Sequence, residues 1–274
     1  MRDGELTLAA RARRRPLSKV PALRWIGETT PALVSIAAIL VIWQISASYI
    51  PEYIFPGIPK VFAKAIQLFE DGSTYAAVLM TLQRVLGGFV LSAVVGVGLG
   101  LTIAMSSRAL GLVMPLVKII MGVPALTWVL LSIIWFRSAE ARVWFIMFIL
   151  VFPIMAMNTY DGVRAVPHDL YHMVRSLRPT TFGLLKLLIV PAATPFIFSG
   201  LKVSLSFGGR IAVFAEALSA STGIGAAMYA MNQMFDSAGI IVWTMVLVAL
   251  LALLDKALSS IERRWFRWRR DFQG

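Results

Sequence analysis

The sequence predicts an all-α polytopic membrane protein with six transmembrane helices. Hydrophobic residues make up 58 % of its 274 positions, more than a soluble core of this size requires. Its apolar runs are long enough to cross a hydrocarbon layer of about 30 Å as helices, which takes about 20 residues. Its basic residues collect in alternate gaps between those runs.

The first 31 residues form a basic tail that holds seven of the 26 Lys and Arg residues (Arg2, Arg11, Arg13, Arg14, Arg15, Lys19 and Arg24). The arginines at 11 to 15 lead into Pro16, Ser18 and Lys19 rather than an apolar stretch, so no cleavable signal peptide is expected. A membrane domain follows over residues 32–258. Its predicted spans are 32–50, 80–105, 111–135, 142–160, 191–215 and 237–257. In the last, residues 237–254, SAGIIVWTMVLVALLALL, carry no charge. Residues 259–274 form a second basic tail.

An even number of spans returns both tails to one side. Segments assigned to that side carry eighteen basic residues and those assigned to the other carry four, Lys60, Lys64, Arg137 and Arg142. The positive-inside rule therefore places both termini in the cytoplasm. The net charge of +12 is explained by this distribution. Neither tail arranges aromatic or glycine residues as a base-reading surface, so no nucleic-acid partner is expected. Cysteine is absent, which excludes disulfides and thiolate chemistry.

Between the first two spans, Val61, Phe62, Ala65, Ile66 and Phe69 fall on one face of a short helix expected to lie along the outer membrane surface. In the second span, GGFVLSAVVGVGLGLTIA places Gly88, Ala93, Gly96, Gly98 and Gly100 where helices can approach closely. Pro115, Pro124 and Pro153 could kink helices around a cavity. Lys118 and Lys202 sit near span ends, where their ammonium groups can reach the interface.

The loop 161–190 is cytoplasmic in this topology. Leu170, Met173, Val174 and Leu177 follow i, i+3, i+4, i+7 spacing, which predicts a short amphipathic helix from His168 to Leu177. Pro167 and Asp169 suit its first turn. The Arg178-Pro179 step breaks it, because a residue before proline is pushed out of helical geometry. After Thr180 a second helix carries Phe182, Leu185, Leu188 and Ile189 toward Pro191. Pro191 and Pro195 are expected near the first turn of the fifth span, acting as a hinge between loop and span. The amphipathic helix suits either lipid head groups or a groove on another protein.

Charges inside the spans are the remaining candidates. Arg210 and Glu216 lie in the fifth span, where each costs at least about 2.5 kcal/mol unless offset. Arg210 suits an anionic solute through bidentate pairing, or an ion pair between helices or subunits. Glu216 suits a structural or gating role. Trp128 suits packing, interfacial anchoring or contact with solute. His168 and His172 stand at i, i+4, but without further ligands no metal site is expected. A phosphate-binding G-x-x-x-x-G-K-[ST] loop is absent, so any use of ATP requires a partner. An ion-coupled carrier would need paired acidic groups at mid-membrane, and only Glu216 qualifies.

Residues 75–270 resemble the inner-membrane permeases of binding-protein-dependent ABC importers, in the nitrate, sulfonate and taurine branch. The resemblance rests on VPAATPFIFSGLKVSLSFGGRIAVFAEAL, on TGIGAAMYAMNQMFDSAGI with the terminal IERRWFRWR, and on GVPALTWVLLSIIWF. The loop departs from the family signature: its Glu-Ala-Ala triplet and Gly fall on His172, Met173, Val174 and Arg178. The resemblance implies a type I importer permease fold, a homodimeric pore in a bacterial inner membrane, and no enzymatic activity of the chain itself. It also implies two copies of an ATP-binding cassette subunit holding ATP and Mg, and an extracytoplasmic solute-binding protein. Asp169, Leu170, His172, Met173, Arg175, Ser176, Arg178, Pro179 and Pro191 would couple the chain to that ATPase. Arg210, Glu216 and Trp128 would border the pathway of a small solute such as a sulfonate, taurine or nitrate.

Overall fold

A computed structural model describes residues 21–265. The outer parts of the two basic tails, residues 1–20 and 266–274, lie outside the described residues. Among the described residues the chain is helical without strands, and it falls into two compact units, residues up to Ile58 and residues from Pro59 on.

The first unit contains α1 (Pro21–Tyr49). The chain after it turns back so that the Trp43 indole N–H donates to the Pro56 carbonyl at 2.9 Å and the Ile58 N–H donates to the Gln44 side chain at 3.0 Å.

The second unit begins with α2 (Ile58–Glu70), α3 (Ser73–Met105), α4 (Ser107–Gly122), α5 (Ala125–Trp135) and α6 (Ala139–Arg164). It continues with α7 (His168–Ser176), α8 (Thr181–Leu184), a π turn at Leu185–Ile189 and α9 (Val190–Ser219), and ends with α10 (Ile224–Gln233) and α11 (Ser237–Trp265). Close approaches fix the directions of the long helices. Gly88 of α3 meets Met147 of α6, Gly96 meets Met155, and Gly100 meets Ala156 and Thr159, so α3 and α6 run parallel. Gly162 meets Phe196, Gly200 meets Asn158 and Gly208 meets Val151, so α9 runs antiparallel to α6. Gly209 against Leu251 and a Lys202–Glu262 ion pair set α11 antiparallel to α9. Lys202 is therefore a cross-helix partner rather than a side chain reaching for the interface.

The glycine stripe works through part of the set expected from sequence. Gly88, Gly96 and Gly100 face α6, with Ser92 between them, its hydroxyl bonded to the Gly88 carbonyl at 2.7 Å. Four-residue spacing keeps these positions on one face. Gly98 lies off that face and meets nothing within 4 Å.

Two expectations about the spans require correction. The third span is not one helix: α4 and α5 meet at 95° across Val123 and Pro124. Pro124 provides no N–H to continue the first helix and starts the second instead. The fifth span does not begin at Pro191. Helix runs without interruption from Thr181 to Ser219, 39 residues. Pro191 would clash with the carbonyl four residues earlier in a regular α-helix, and the π turn immediately before it opens the ladder there. The Val190 N–H bonds to the Leu185 carbonyl, an i to i+5 closure.

The α2 helix forms as expected, but its apolar face is divided. Val61 is buried and Leu68 joins the cluster of Val213, Ile224, Trp243, Leu247 and Leu250, while Phe62, Ile66 and Phe69 stay exposed. Lys64 ties α2 to Asp236 at the α10–α11 corner, at 2.7 Å. Burial opposes the charge on Asp236, but the Lys64 ammonium, the Gly239 N–H and the Lys60 charge outweigh it and hold the carboxyl below its ordinary 3.8. Asp71 precedes α3, and donation from the Ser73 N–H and hydroxyl lowers its pKa as well.

The α3–α6 contact predicts unlike outcomes for two neighbouring glycines. Gly96→Ala would bring a methyl within 2.5 Å of the Met155 Cβ, and such overpacking costs about 1–3 kcal/mol. Gly98→Ala meets open space and should be neutral or mildly stabilising. Thermal unfolding of the detergent-purified variants should show a lowered midpoint for the first alone.

Candidate functional site

The directions of the helices define two ends of the second unit. At one, the starts of α3 and α6 meet the end of α9 and the start of α10. At the other, the ends of α3 and α6 meet α7 and α8.

At the first end a buried polar network joins four elements. Glu216 in the last turn of α9 is fully buried, at 0 % exposure. Its carboxylate accepts from the Arg84 guanidinium of α3 at 3.0 Å, from the Thr81 hydroxyl at 2.8 Å, and from the Gly225 N–H at 3.0 Å. Arg84, 2 % exposed, also donates to the Thr222 carbonyl at 2.6 Å and to Glu140 of α6 at 2.8 Å. The Ile224 N–H closes the set by donating to the Thr81 oxygen at 2.8 Å.

The turn 222–225 can wrap the carboxylate because two of its residues lack side chains. Gly223 adopts φ +108°, open to glycine but strained for other residues. A Cβ there would lie 2.5 Å from the Glu216 carboxylate, and a Cβ on Gly225 would lie 2.0 Å from the Val213 carbonyl. Glu216 therefore meets other helices, as a charge at this depth must.

Arg142 braces the same end. It donates to the carbonyls of Phe136 at 2.8 Å and Ser219 at 2.9 Å, tying the α5–α6 turn to the end of α9. Trp128 of α5 is half-buried and packs edge-on against Phe145, 6.2 Å between ring centroids. It does not touch the Glu216 network.

Arg210 is separated from that network. It is exposed on α9, its Nε donates to the Ser206 carbonyl at 3.0 Å, and no carboxylate pairs with it among the described residues. Val203, Phe214 and Leu218 are exposed on the same face, at helical spacing from it.

At the second end, α7 carries Asp169, Leu170, His172, Met173, Arg175 and Ser176, and none of its residues is buried. Leu170, Met173 and Leu177 are exposed, the last at 79 %. At 100° per residue they centre on the side opposite His168, Tyr171 and His172. The second group lines a cavity of about 640 Å³ beneath the helix, so the apolar side looks away from the chain's own helices.

The break after α7 falls where the sequence places it. Arg178 has φ +51°, a left-handed conformation that a non-glycine residue holds at a cost of roughly 1–2 kcal/mol. Pro179 follows, and the Thr180 hydroxyl caps α8 by accepting from the Gly183 N–H at 3.1 Å. Pro191 lies within continuous helix, well past this break, and Phe182 is exposed rather than packed with Leu188 and Ile189.

Sequence reasoning missed Arg84, Glu140, Thr81 and the 222–225 turn. Arg84 did carry a signal, being a charge inside an apolar run opposite in sign to Glu216. The partnership itself arises only from helix packing.

Residues 94–267 match the family of binding-protein-dependent transport system inner membrane components. A putative ABC transporter permease of Methanocaldococcus jannaschii is 31 % identical over 242 residues, covering 85 % of this chain and 90 % of that one. The nitrate import permease of Leptolyngbya laminosa is 28 % identical over 264 residues, covering 93 % and 94 %. The bicarbonate transport system permease of Synechococcus elongatus is 27 % identical over 273 residues, covering 93 % and 98 %. Among solved structures, the chain is similar in fold to the methionine ABC transporter MetNI in an inward-facing conformation, with TM-score 0.64 and 16 % identity over 69 % of this chain and 94 % of that one. An amino acid ABC transporter gives TM-score 0.61 at 19 % identity, covering 74 % and 96 %.

The Glu216 network predicts strong coupling between two residues 132 apart in sequence. Replacing either partner alone, Glu216→Gln or Arg84→Gln, leaves the other charge buried and should cost about 3–5 kcal/mol. The double variant should lose less than the sum. A thermal-unfolding double-mutant cycle in detergent measures this; additive losses would mean that the two side chains act independently.

Proposed function

The chain belongs to the binding-protein-dependent transport system inner membrane components, the multi-pass permease subunits of ABC importers, and from that premise we propose that it carries a small anion across a bacterial inner membrane. The observation that carries the substrate class is Arg210. It is a permanent cation within a span, exposed on the surface of a single chain and without a carboxylate partner among the described residues. Contact with lipid would be costly there, so this face of α9 borders either water or a second copy of the chain. In a two-fold dimer an isologous contact along α9 brings both Arg210 side chains toward one axis. Two guanidinium groups at a shared pathway suit a nitrate-, bicarbonate- or sulfonate-like oxyanion. The nitrate and bicarbonate systems among the relatives agree with this choice.

Both termini and the α7 end are cytoplasmic in this reading, which follows from the eighteen-to-four distribution of basic residues. The exposed apolar side of α7 docks on an ATP-binding cassette subunit, one on each copy of the chain. Asp169, Ser176, Arg178 and Pro179 flank that contact, whereas His172 and Arg175 lie toward the opposite side of the helix. ATP and Mg are held by the ATPase, and this chain performs no covalent chemistry. An external binding protein delivers the solute at the Glu216 end. Closure of the ATPase dimer moves α7, and α9 transmits the shift to the outer network, which holds or releases the outer mouth. Nucleotide thereby biases two conformers of the same pore.

Two variants test the separate parts. Met173→Glu places a carboxylate on the exposed apolar side of α7; the chain should still accumulate in the membrane while copurification of the ATPase falls at least tenfold. Undiminished copurification would rule out that docking side. Arg210→Gln should leave the complex assembled but lower ATP-driven uptake of labelled nitrate or bicarbonate by tenfold or more. Unchanged uptake of the anion that the unaltered complex carries would remove Arg210 from the pathway.

A further inference from the structure

The cavity beneath α7 is built unlike the docking side of the same helix. Its floor is apolar, with Met105 at the end of α3, Val163 near the end of α6, and Leu184 and Ile189 from the start of the long helix. Its rim carries Arg164, the last residue of α6, and His168, Tyr171 and His172 on one side of α7. A second guanidinium stands beside the rim, since Arg175 donates to the Tyr171 hydroxyl at 2.7 Å and lies over its ring. Arg164 lies over the Tyr160 ring at 5.9 Å. Among the described residues neither arginine is paired with a carboxylate. Asp169 is the acidic residue of α7, about a quarter turn from the rim face.

We infer that this cavity holds the head group and upper acyl chain of an anionic phospholipid of the inner leaflet. Three features lead there together. The cavity sits where α3 and α6, both long and apolar enough to cross a bilayer, come to their ends. Its apolar floor fits a chain that a free inorganic anion lacks. Its cationic and aromatic rim is the recognition chemistry of an acidic head group at a membrane interface. The volume, about 640 Å³, accommodates a phosphoglycerol group with several methylenes rather than a whole lipid. The site occupies the opposite side of α7 from Leu170, Met173 and Leu177, so a lipid and an ATPase can hold the same helix at once. The lipid would set the height and tilt of α7 against the bilayer, and with them how the docking side is presented.

The inference takes the cytoplasmic orientation of this end from the reading above, and its test uses neither an ATPase nor transport, so the two can fail separately. The full-length chain is purified in detergent, and its retention of phosphatidylglycerol and phosphatidylcholine is compared by native mass spectrometry. The unaltered chain should retain one phosphatidylglycerol in preference to phosphatidylcholine. The double variant R164Q/H168N should lower that preference about fivefold or more, as removal of a lipid-facing cation does. Lys186→Gln, which removes a nearby charge outside the cavity, should leave it unchanged. Equal retention of both lipids by the unaltered chain would overturn the assignment. So would an equal loss of preference in Lys186→Gln and the double variant, or full displacement of the lipid by an equal concentration of inorganic phosphate.

Discussion

A carboxylate with no access to water, Glu216, is the constraint around which the second unit is arranged. Burying it alone would be prohibitive, so every neighbour must be in place: Arg84 from α3, Thr81 one turn before it, and the Gly225 N–H from the start of α10. Arg84 in turn needs Glu140 and the Thr222 carbonyl, because one carboxylate cannot satisfy a five-donor fork. Three helices and a turn thus share one electrostatic centre. Apolar packing alone would let α3, α6 and α9 slide along one another at small cost. The network admits one register.

Glycine and serine make that register reachable. Since lipid tails are as apolar as the side chains they would replace, helices in a bilayer gain little from hydrophobicity and depend on close contact. The stripe at Gly88, Ser92, Gly96 and Gly100 provides that contact along α3 and brings the backbone near α6, while Gly200 and Gly208 do the same between α9 and α6. The two ends of this assembly then differ in kind. The Glu216 end pairs its buried carboxylate internally, whereas the α7 end leaves apolar side chains exposed on a helix without a buried residue.

Much of this was legible in sequence. The all-helical membrane class follows from apolar length, although among the described residues four helices rather than six are long and apolar enough to cross, or five if α4 and α5 make one span. The α7 helix follows from the spacing of Leu170, Met173, Val174 and Leu177. The break at Arg178-Pro179 follows from the restriction a proline imposes on its neighbour. Glu216 stood out as a charge without an evident partner. What could not be read is of one kind: properties that exist only between elements. Arg84 gains its meaning from Glu216, far away in sequence, and Lys202 from Glu262. Pro124 was readable as a kink, but the size of the bend between α4 and α5 depends on how it is accommodated, and apolarity is the same on either side of it. Pro191 misled for a similar reason. Proline at an expected boundary usually marks a first turn, but the π turn before it allows the helix to pass through.

That π turn places one residue more in the ladder than a regular α-helix would hold. Removing one residue between Leu185 and Ile189 would restore regular winding with little turn, whereas winding all five as regular α-helix would turn everything beyond by about 100° relative to α8. Arg210 would leave its exposed face and Glu216 its pocket, although neither had been altered. The five residues therefore act as a phase adjuster, setting the angle between the α7–α8 loop and the charges 20 to 30 residues away. Loss of one residue together with the π turn is the length change that this segment can absorb.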